Sequence, residues 1–398
     1  MMKRFFLFAI TLFILNAVNA QWFTLNSGVT VDLNDIFFVD ASTGYSVGGY
    51  GMIIKTTDGG ITWQQKNSGT TNWLHSVFFT DASTGYTVGG GCYKTSDGGE
   101  TWTEMITGIT TSAMFSVYFV DANTGYAVGG AGTIIKTTDA GATWMIQNSG
   151  VGDELHGVHF FDENIGWAVG NYHILHTTDG GITWTHQYHL VIFHDCVATD
   201  SETCFASGTW GTIMKTTDGG TTWVPLSIGT SSDITGIKAV SSNKLYAVGG
   251  QGTIITTSDG GANWTPQASG LPYGILFSLF FADQNTGYIA GGSGIMLKTN
   301  NGGVVGLGRP ISENAGWSTT PNPAREYFVL NVENLQPNCM VKISDITGRT
   351  IHERFLTETK TLFDVSSIPG GLYYLTLSNS TGAIQVRKII IESGIKPR

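Results

Sequence analysis

The phrase Thr56-Thr57-Asp58-Gly59-Gly60-Ile61-Thr62-Trp63 returns around Asp97, Asp139, Asp179, Asp218 and Asp259, each time ending on a tryptophan. Adjacent copies lie 39 to 42 residues apart, and a decayed seventh copy, Asn301-Gly302-Gly303, has no tryptophan after it. Repetition at this period implies a chain of like units, each burying its apolar face only against the next. The units also share their other parts. An apolar run such as Val117-Tyr118-Phe119 leads to a turn, Asp121-Ala122-Asn123-Thr124-Gly125, and then to Tyr126-Ala127-Val128. A Gly-rich turn, the run Thr133-Ile134-Ile135-Lys136, the motif and a last strand beginning at the tryptophan complete the unit. Four short strands in about 40 residues is the size of one propeller blade.

The motif reads as a hairpin turn. Glycine supplies the positive φ that tight turns need, the Asp carboxylate accepts nearby backbone N–H groups, and the tryptophan packs between sheets. Asp58, Asp97, Asp139, Asp179, Asp218 and Asp259 are therefore assigned structural roles. The repeat resembles the Asp-box (BNR) repeat, whose family places this turn between the third and fourth strands of a blade.

The segment Gln21-Trp22-Phe23-Thr24-Leu25-Asn26-Ser27-Gly28 resembles Thr62-Trp63 through Gly69, a fourth strand with no blade before it, while the seventh unit lacks its fourth strand. Pairing the two would close a ring and remove both free sheet edges. The expected fold is all-β: a seven-bladed propeller over 21–308 closed by the N-terminal strand. A linker over 309–320 and a small Ig-like β-sandwich over 321–398 follow, the latter from short alternating runs separated by turn signals.

The start of the chain, a basic Met1-Met2-Lys3-Arg4, an apolar Phe5–Leu15 and Val18-Asn19-Ala20, has the layout of a signal peptide over 1–20. No stretch is long enough for a transmembrane helix. The C-terminal module resembles the type A sorting domain of the type IX secretion system through Pro321-Asn322-Pro323, Ile346-Thr347-Gly348-Arg349, Ile368-Pro369-Gly370-Gly371-Leu372-Tyr373 and Arg387-Lys388-Ile389-Ile390-Ile391. The resemblance implies a Bacteroidota-type bacterium, Sec export, recognition by the type IX machinery, and release or display at the cell surface.

Residues 21–308 carry eight Lys, no Arg and 22 acidic residues. Such a surface does not follow a phosphate backbone, so nucleic acid is not an expected partner. Asp-box propellers include sialidases, which grip a carboxylate with three arginines; without arginine the bidentate grip cannot form. Another glycoside hydrolase would need two facing carboxylates, and Asp35, Glu154, Asp195 and Asp233 are acidic residues placed near the mouth with no spacing that singles out a pair.

Seven of nine histidines fall between His156 and His194. Aligned repeats put His75, His156 and His194 at one position, the start of the innermost strand, where the other units carry Asn34, Phe115, Thr235 and Phe277. The turns between second and third strands carry Tyr50, Ala131, Tyr172, Trp210, Gln251 and Ser293 and should face the same side. Tyr172, Trp210 and Trp73 could form an aromatic binding surface there. No metal or cofactor is assigned, because no ligand set with the required convergence is legible. Cys196 and Cys204 fall on the first and second strands of the fifth unit, where a cross-strand disulfide and two packed thiols are both open.

A second resemblance covers the whole repeat region. The recurring Asn-Thr-Gly-Tyr-Ala-Val-Gly-Gly…Gly-Thr-Ile-Ile-Lys-Thr-Thr-Asp pattern is similar to the photosystem II assembly/stability factor propellers, non-enzymatic chaperones that bind membrane-protein segments through an arginine-rich surface. The arginines are missing here, so the resemblance implies the fold and a protein-binding character. The sequence thus leads to a secreted or surface-displayed, monomeric, non-enzymatic propeller that binds protein or glycan. The alternatives are a carbohydrate-active hydrolase using rim carboxylates and a structural surface or matrix protein.

Overall fold

The computed structural model describes residues 22–105, 112–303, 317–332, 339–345, 349–378 and 384–392. The signal-peptide segment, most of the linker and the Ile346-Thr347-Gly348 turn lie outside the described residues. The chain divides into two compact units, residues 1–304 and 305–398.

The first unit is a succession of antiparallel meanders. Leu33–Phe38, Gly44–Gly48, Ile53–Thr56 and Gln64–Lys66 pair in chain order, and the same four-strand order returns from Leu74–Phe79, Met114–Phe119 and Ile234–Ala239. Every first strand has a register irregularity near its start, as between Leu33 and Asp35, a bulge that bends the strand. The first strands adjoin in chain order, and the last, Leu276–Phe281, adjoins Leu33–Phe38. The architecture is propeller-like. One departure is the long strand Thr185–Ala198, which pairs with Gly166–Thr177 at one end and Cys204–Gly208 at the other and merges two meanders into one six-stranded ladder.

The Asp-box residues hold their own turns. Thr62 donates its backbone N–H to Asp58 Oδ1 at 2.9 Å and its hydroxyl to Oδ2 at 2.6 Å, while the Gly60 N–H reaches Thr56 Oγ1. Asp97, Asp139, Asp179 and Asp218 repeat this with Thr101, Thr143, Thr183 and Thr222, and Asp259 does so with Asn263. A carbonyl of the closed turn is gripped by the preceding sheet. Tyr45 and Lys55, direct cross-strand partners, both donate to Gly98 O at 2.7 Å. Tyr86 and Lys94 grip Ala140 O, Tyr126 and Lys136 grip Gly180 O, and Tyr288 and Lys298 of the last sheet grip Gly59 O of the first. Each neutral bond contributes on the order of 1 kcal/mol and each ammonium bond somewhat more. Where the fourth sheet has Trp167 and His176 instead, these rings stack at 4.7 Å, and Gln187 Nε2 donates to the Gly220 carbonyl.

The same tyrosines stack on a phenylalanine of the next sheet: Tyr45 on Phe79, Tyr86 on Phe119, Tyr126 on Phe160, Tyr246 on Phe281 and Tyr288 on Phe38, at 3.7 to 4.1 Å. Each phenylalanine ring covers a glycine of its own sheet. A Cβ on Gly44, Gly85, Gly125, Gly166 or Gly287 would meet the ring at 2.5 to 2.6 Å. The fifth and sixth sheets exchange the volumes: Ala198 faces Cys204 and Ala239 faces Leu245. Cys204 thus fills space that a ring fills elsewhere. It and Cys196 are buried free thiols, with Cys196 in side-chain hydrogen-bond contact with Cys204.

The N-terminal segment joins the last meander. Phe23 pairs with Lys298, and the Leu25 N–H reaches Met296 O. Trp22 meets Phe281 edge-on at 5.9 Å, as Trp63 meets Phe38 at 6.0 Å. In the second unit, Trp317–Thr320, Tyr327–Val332 and Lys360–Asp364 form one antiparallel sheet, and Met340–Asp345 lies between Thr350–Phe355 and Gly371–Ser378 in another. Phe328, Val341, Phe363, Leu375 and Ile389 are buried between them.

Two predictions follow from this packing. Gly125→Ala should destabilise the protein by about 1–3 kcal/mol through overpacking. Combined with Phe119→Ala it should cost less than the sum, with a coupling of about 1 kcal/mol or more in a denaturant double-mutant cycle; strict additivity would contradict the exchange of volumes. The second concerns acid. Hydrogen bonds from Thr62, led by its side chain, hold Asp58 at about 2, and the same bonds act on Asp97, Asp139 and Asp259. A carboxylate depressed below its unfolded value stabilises the fold above that value and loses the contribution as pH falls through the folded one. The melting temperature should therefore fall as pH drops from about 4 to about 2, and Thr62→Ala, Thr101→Ala and Thr143→Ala together should flatten that fall.

Candidate functional site

Along the bulged first strands, side chains of neighbouring sheets meet in two sets. The outer set is Asn34, His75, Phe115, His156, His194, Thr235 and Phe277, as the aligned repeats anticipate. Asn34 and Thr235 donate to backbone carbonyls of the next sheet, Leu74 O and Leu276 O. The rings form a continuous run: Tyr50 to Trp73 at 6.0 Å, Trp73 to His75 at 6.4 Å, His75 to Phe115 and Phe115 to His156 both at 5.2 Å, and His156 to His194 at 6.1 Å. Burial, and then the neighbouring His156, lower the basicity of His75 and His194. His156 Nε2 lies 3.0 Å from Asn171 Oδ1.

Deeper lies a second set: Phe37, Phe78, Tyr118, His159, Lys238 and Phe280. Adjacent rings stand 4.7 to 5.3 Å apart. Burial, with Lys238 adding to it, pushes His159 down to about 3. Lys238 Nζ is 3.3 Å from Asp195.

Asp35 and Asp195 are not rim carboxylates. Asp35 accepts the hydroxyls of Ser278 and Ser76 and the N–H groups of Ile36 and Val77, and Asp195 accepts the N–H groups of Cys196 and Ile237. Both sit where a bulged residue ties one first strand to the next, a position at which Ser76 and Ser116 accept the Val117 and Val158 N–H groups. Burial raises the Asp35 carboxyl against those hydrogen bonds. Among the described residues, no group of three or more His, Cys, Asp and Glu is arranged to hold a metal ion.

The turns between second and third strands lie beside this mouth. Their central residues, Tyr50, Ala131, Tyr172, Trp210, Gln251 and Ser293, all have φ between 55 and 65°. Tyr50 and Trp210 are 70% and 73% exposed, and Tyr172 is exposed beside Tyr188 at 6.0 Å. The Trp210 N–H donates to Asp233 Oδ1 at 2.8 Å, and the Ser293 N–H to Asp32 Oδ1. His75, His156, His194 and Trp73 thus share one track, with Tyr50 as an unanticipated end member. Trp210 and Tyr172 stand on separate turns. The rest of the histidine-rich segment is used elsewhere: His173 contacts Asp153, His186 and Tyr188, and His176 stacks on Trp167. Lys238 is a visible break in an otherwise mostly aromatic column of the aligned repeats, and that signal could have found it.

Residues 14–107, 104–190 and 225–300 match the family described as photosynthesis system II assembly factor YCF48. The chain belongs to that family. Residues 319–392 match the secretion system C-terminal sorting domain, so this YCF48-family chain is exported to the cell surface or secreted and engages the secretion machinery through its tail. No helix among the described residues is long and apolar enough to cross a membrane. No curated protein matches the sequence. Among solved structures, YCF48 bound to D1 peptide is 20% identical over 74% of this chain and 99% of its own, with a TM-score of 0.62. PorZ, a bacterial surface component of the type-IX secretion system of Porphyromonas gingivalis, is 15% identical over 91% of this chain and 59% of its own, with a TM-score of 0.58. The GH74 enzyme of Niastella koreensis is 15% identical over 94% of this chain and 68% of its own, with a TM-score of 0.59. These likenesses concern the fold.

Proposed function

We propose that the chain is an exported, non-enzymatic, seven-bladed propeller, closed by the strand Phe23–Thr24, that binds a protein segment or glycan at the histidine-lined mouth. Propeller over 21–308, linker over 309–320 and Ig-like sandwich over 321–398 remain the proposed division. The strand pairing of Phe23 with Lys298 and the grip of Tyr288 and Lys298 on Gly59 support the closure.

The observation that carries the binding reading is the backbone under Tyr50 and Trp210. A bulky residue at positive φ costs about 1–2 kcal/mol relative to glycine. Burial offsets strain at many sites, but these two rings are largely in water. Three aromatics at such turns, beside the run from Trp73 to His194, suit ligand contact, where aromatic rings contribute most to recognition. YCF48 bound to D1 peptide is a relative by fold that takes a peptide. The hydrolase alternative asks for two carboxylates free to act on a bond, whereas the inner pair, Asp35 and Asp195, is occupied by backbone and hydroxyl donors.

The test is an array of glycans and cell-surface proteins probed with the intact exported chain and with Trp210→Ala and His156→Ala variants. Selective binding that falls at least roughly tenfold in the variants is expected, a typical cost of truncating an aromatic anchor. Absence of selective binding would favour a structural surface protein, and turnover of a bound glycan would favour the hydrolase.

A further inference from the structure

Between residues 21 and 308 the fixed positive charge is carried by eight lysines, and each of them has an acceptor. Lys55, Lys94, Lys136, Lys215 and Lys298 hold turn carbonyls of the next sheet. Lys66 binds Glu100, Lys244 the Gln284 carbonyl, and Lys238 Asp195. With no arginine between residues 21 and 308 and every lysine there engaged, the mouth meets a charged partner with aromatic and acidic side chains beside the histidines His75, His156 and His194.

Those two kinds of side chain coincide. On the fifth meander, the backbone N–H of Trp210 donates to Asp233 Oδ1, so this hydrogen bond anchors an exposed carboxylate at the residue that carries an exposed indole. On the neighbouring fourth, Asn171 Nδ2 lies 3.5 Å from Glu154 Oε2, and the next residue is Tyr172. A ring face attracts a cation, and a nearby carboxylate adds to that attraction. An anionic ligand would meet carboxylates, while the Lys238 ammonium is already paired with Asp195.

We infer that the partner taken at this mouth is a basic protein segment, whose lysine or arginine side chains dock on the Trp210–Asp233 and Tyr172–Glu154 pairs. This rests on the proposed binding role of the mouth and narrows it to one class of partner. An aromatic surface alone would equally take neutral sugar; the two carboxylates and the engaged lysines favour the cationic segment.

The test uses the intact exported chain and equal-length peptides that differ only in carrying three Lys or Arg, three Gln, or three Glu, followed by indole fluorescence and calorimetry over a salt series. The basic peptides should bind at least roughly tenfold more tightly than the Gln peptides, with affinity falling as salt rises. Asp233→Asn retains an oxygen for the Trp210 N–H and removes only the charge. Together with Glu154→Gln it should erase the preference for basic peptides while leaving the melting temperature unchanged. Equal binding of basic and Gln peptides, lost on Trp210→Ala, would overturn this inference and leave the binding role standing. Preference for the Glu peptides or for a glycan would also overturn it, and failure of every peptide to bind would overturn it together with the site.

Discussion

One carbonyl oxygen per turn organises this protein. The Asp-box carboxylate closes a turn by taking its N–H and hydroxyl donors, which sets one of the turn's carbonyls at a fixed place. The preceding sheet meets that acceptor with a tyrosine and a lysine that are cross-strand neighbours. Because one contact joins a turn to the preceding sheet, each meander depends on its neighbour, and the arrangement is complete only when the last sheet grips the first. Tyr288 and Lys298 on Gly59 do this. The aromatic stacking and the glycine beneath each phenylalanine follow from the same approach of sheets.

The same economy shapes the side of the mouth proposed to bind. Lysines drawn into turn carbonyls are withdrawn from the surface, and acidic residues dominate what remains. The turns between second and third strands need positive φ but not a particular side chain, as Ala131, Gln251 and Ser293 show beside Tyr50 and Trp210. Their composition is therefore open to selection for contacts, whereas the Asp-box turns are committed to the fold. Export to the cell surface or secretion, given by the sorting tail, puts the proposed binding face outside the cell.

Much of this was legible in the sequence. The motif spacing located the turns and the strands on either side, and the likeness of Trp22 to Trp63 located the N-terminal strand beside Met296–Thr299. Aligning repeats put His75, His156 and His194 at one level, because a repeat fixes position without any knowledge of contacts. What it did not disclose was direction. Asp35 and Asp195 look like rim carboxylates until the bulge turns them toward the N–H groups of the next strand. For Cys204 the sequence leaves a disulfide and a packed thiol both open, and its place follows from volume, since Ala198 stands where Phe119 and its equivalents stand. In the sequence the tyrosine and lysine of the repeat read as strand residues, since their acceptor lies in another unit, 43 residues on from Lys55 and 53 from Tyr45 at Gly98.

The dependence of each sheet on its neighbour is tested most directly at the seam. A chain lacking residues 22–28, compared with the intact exported chain by light scattering and thermal melting, removes the pairing of Phe23 with Lys298 and the packing of Trp22 on Phe281. The ring account predicts a lower melting temperature and association through the bared edge of Met296–Thr299. A truncated chain that melts with the intact one and shows no added association would contradict it.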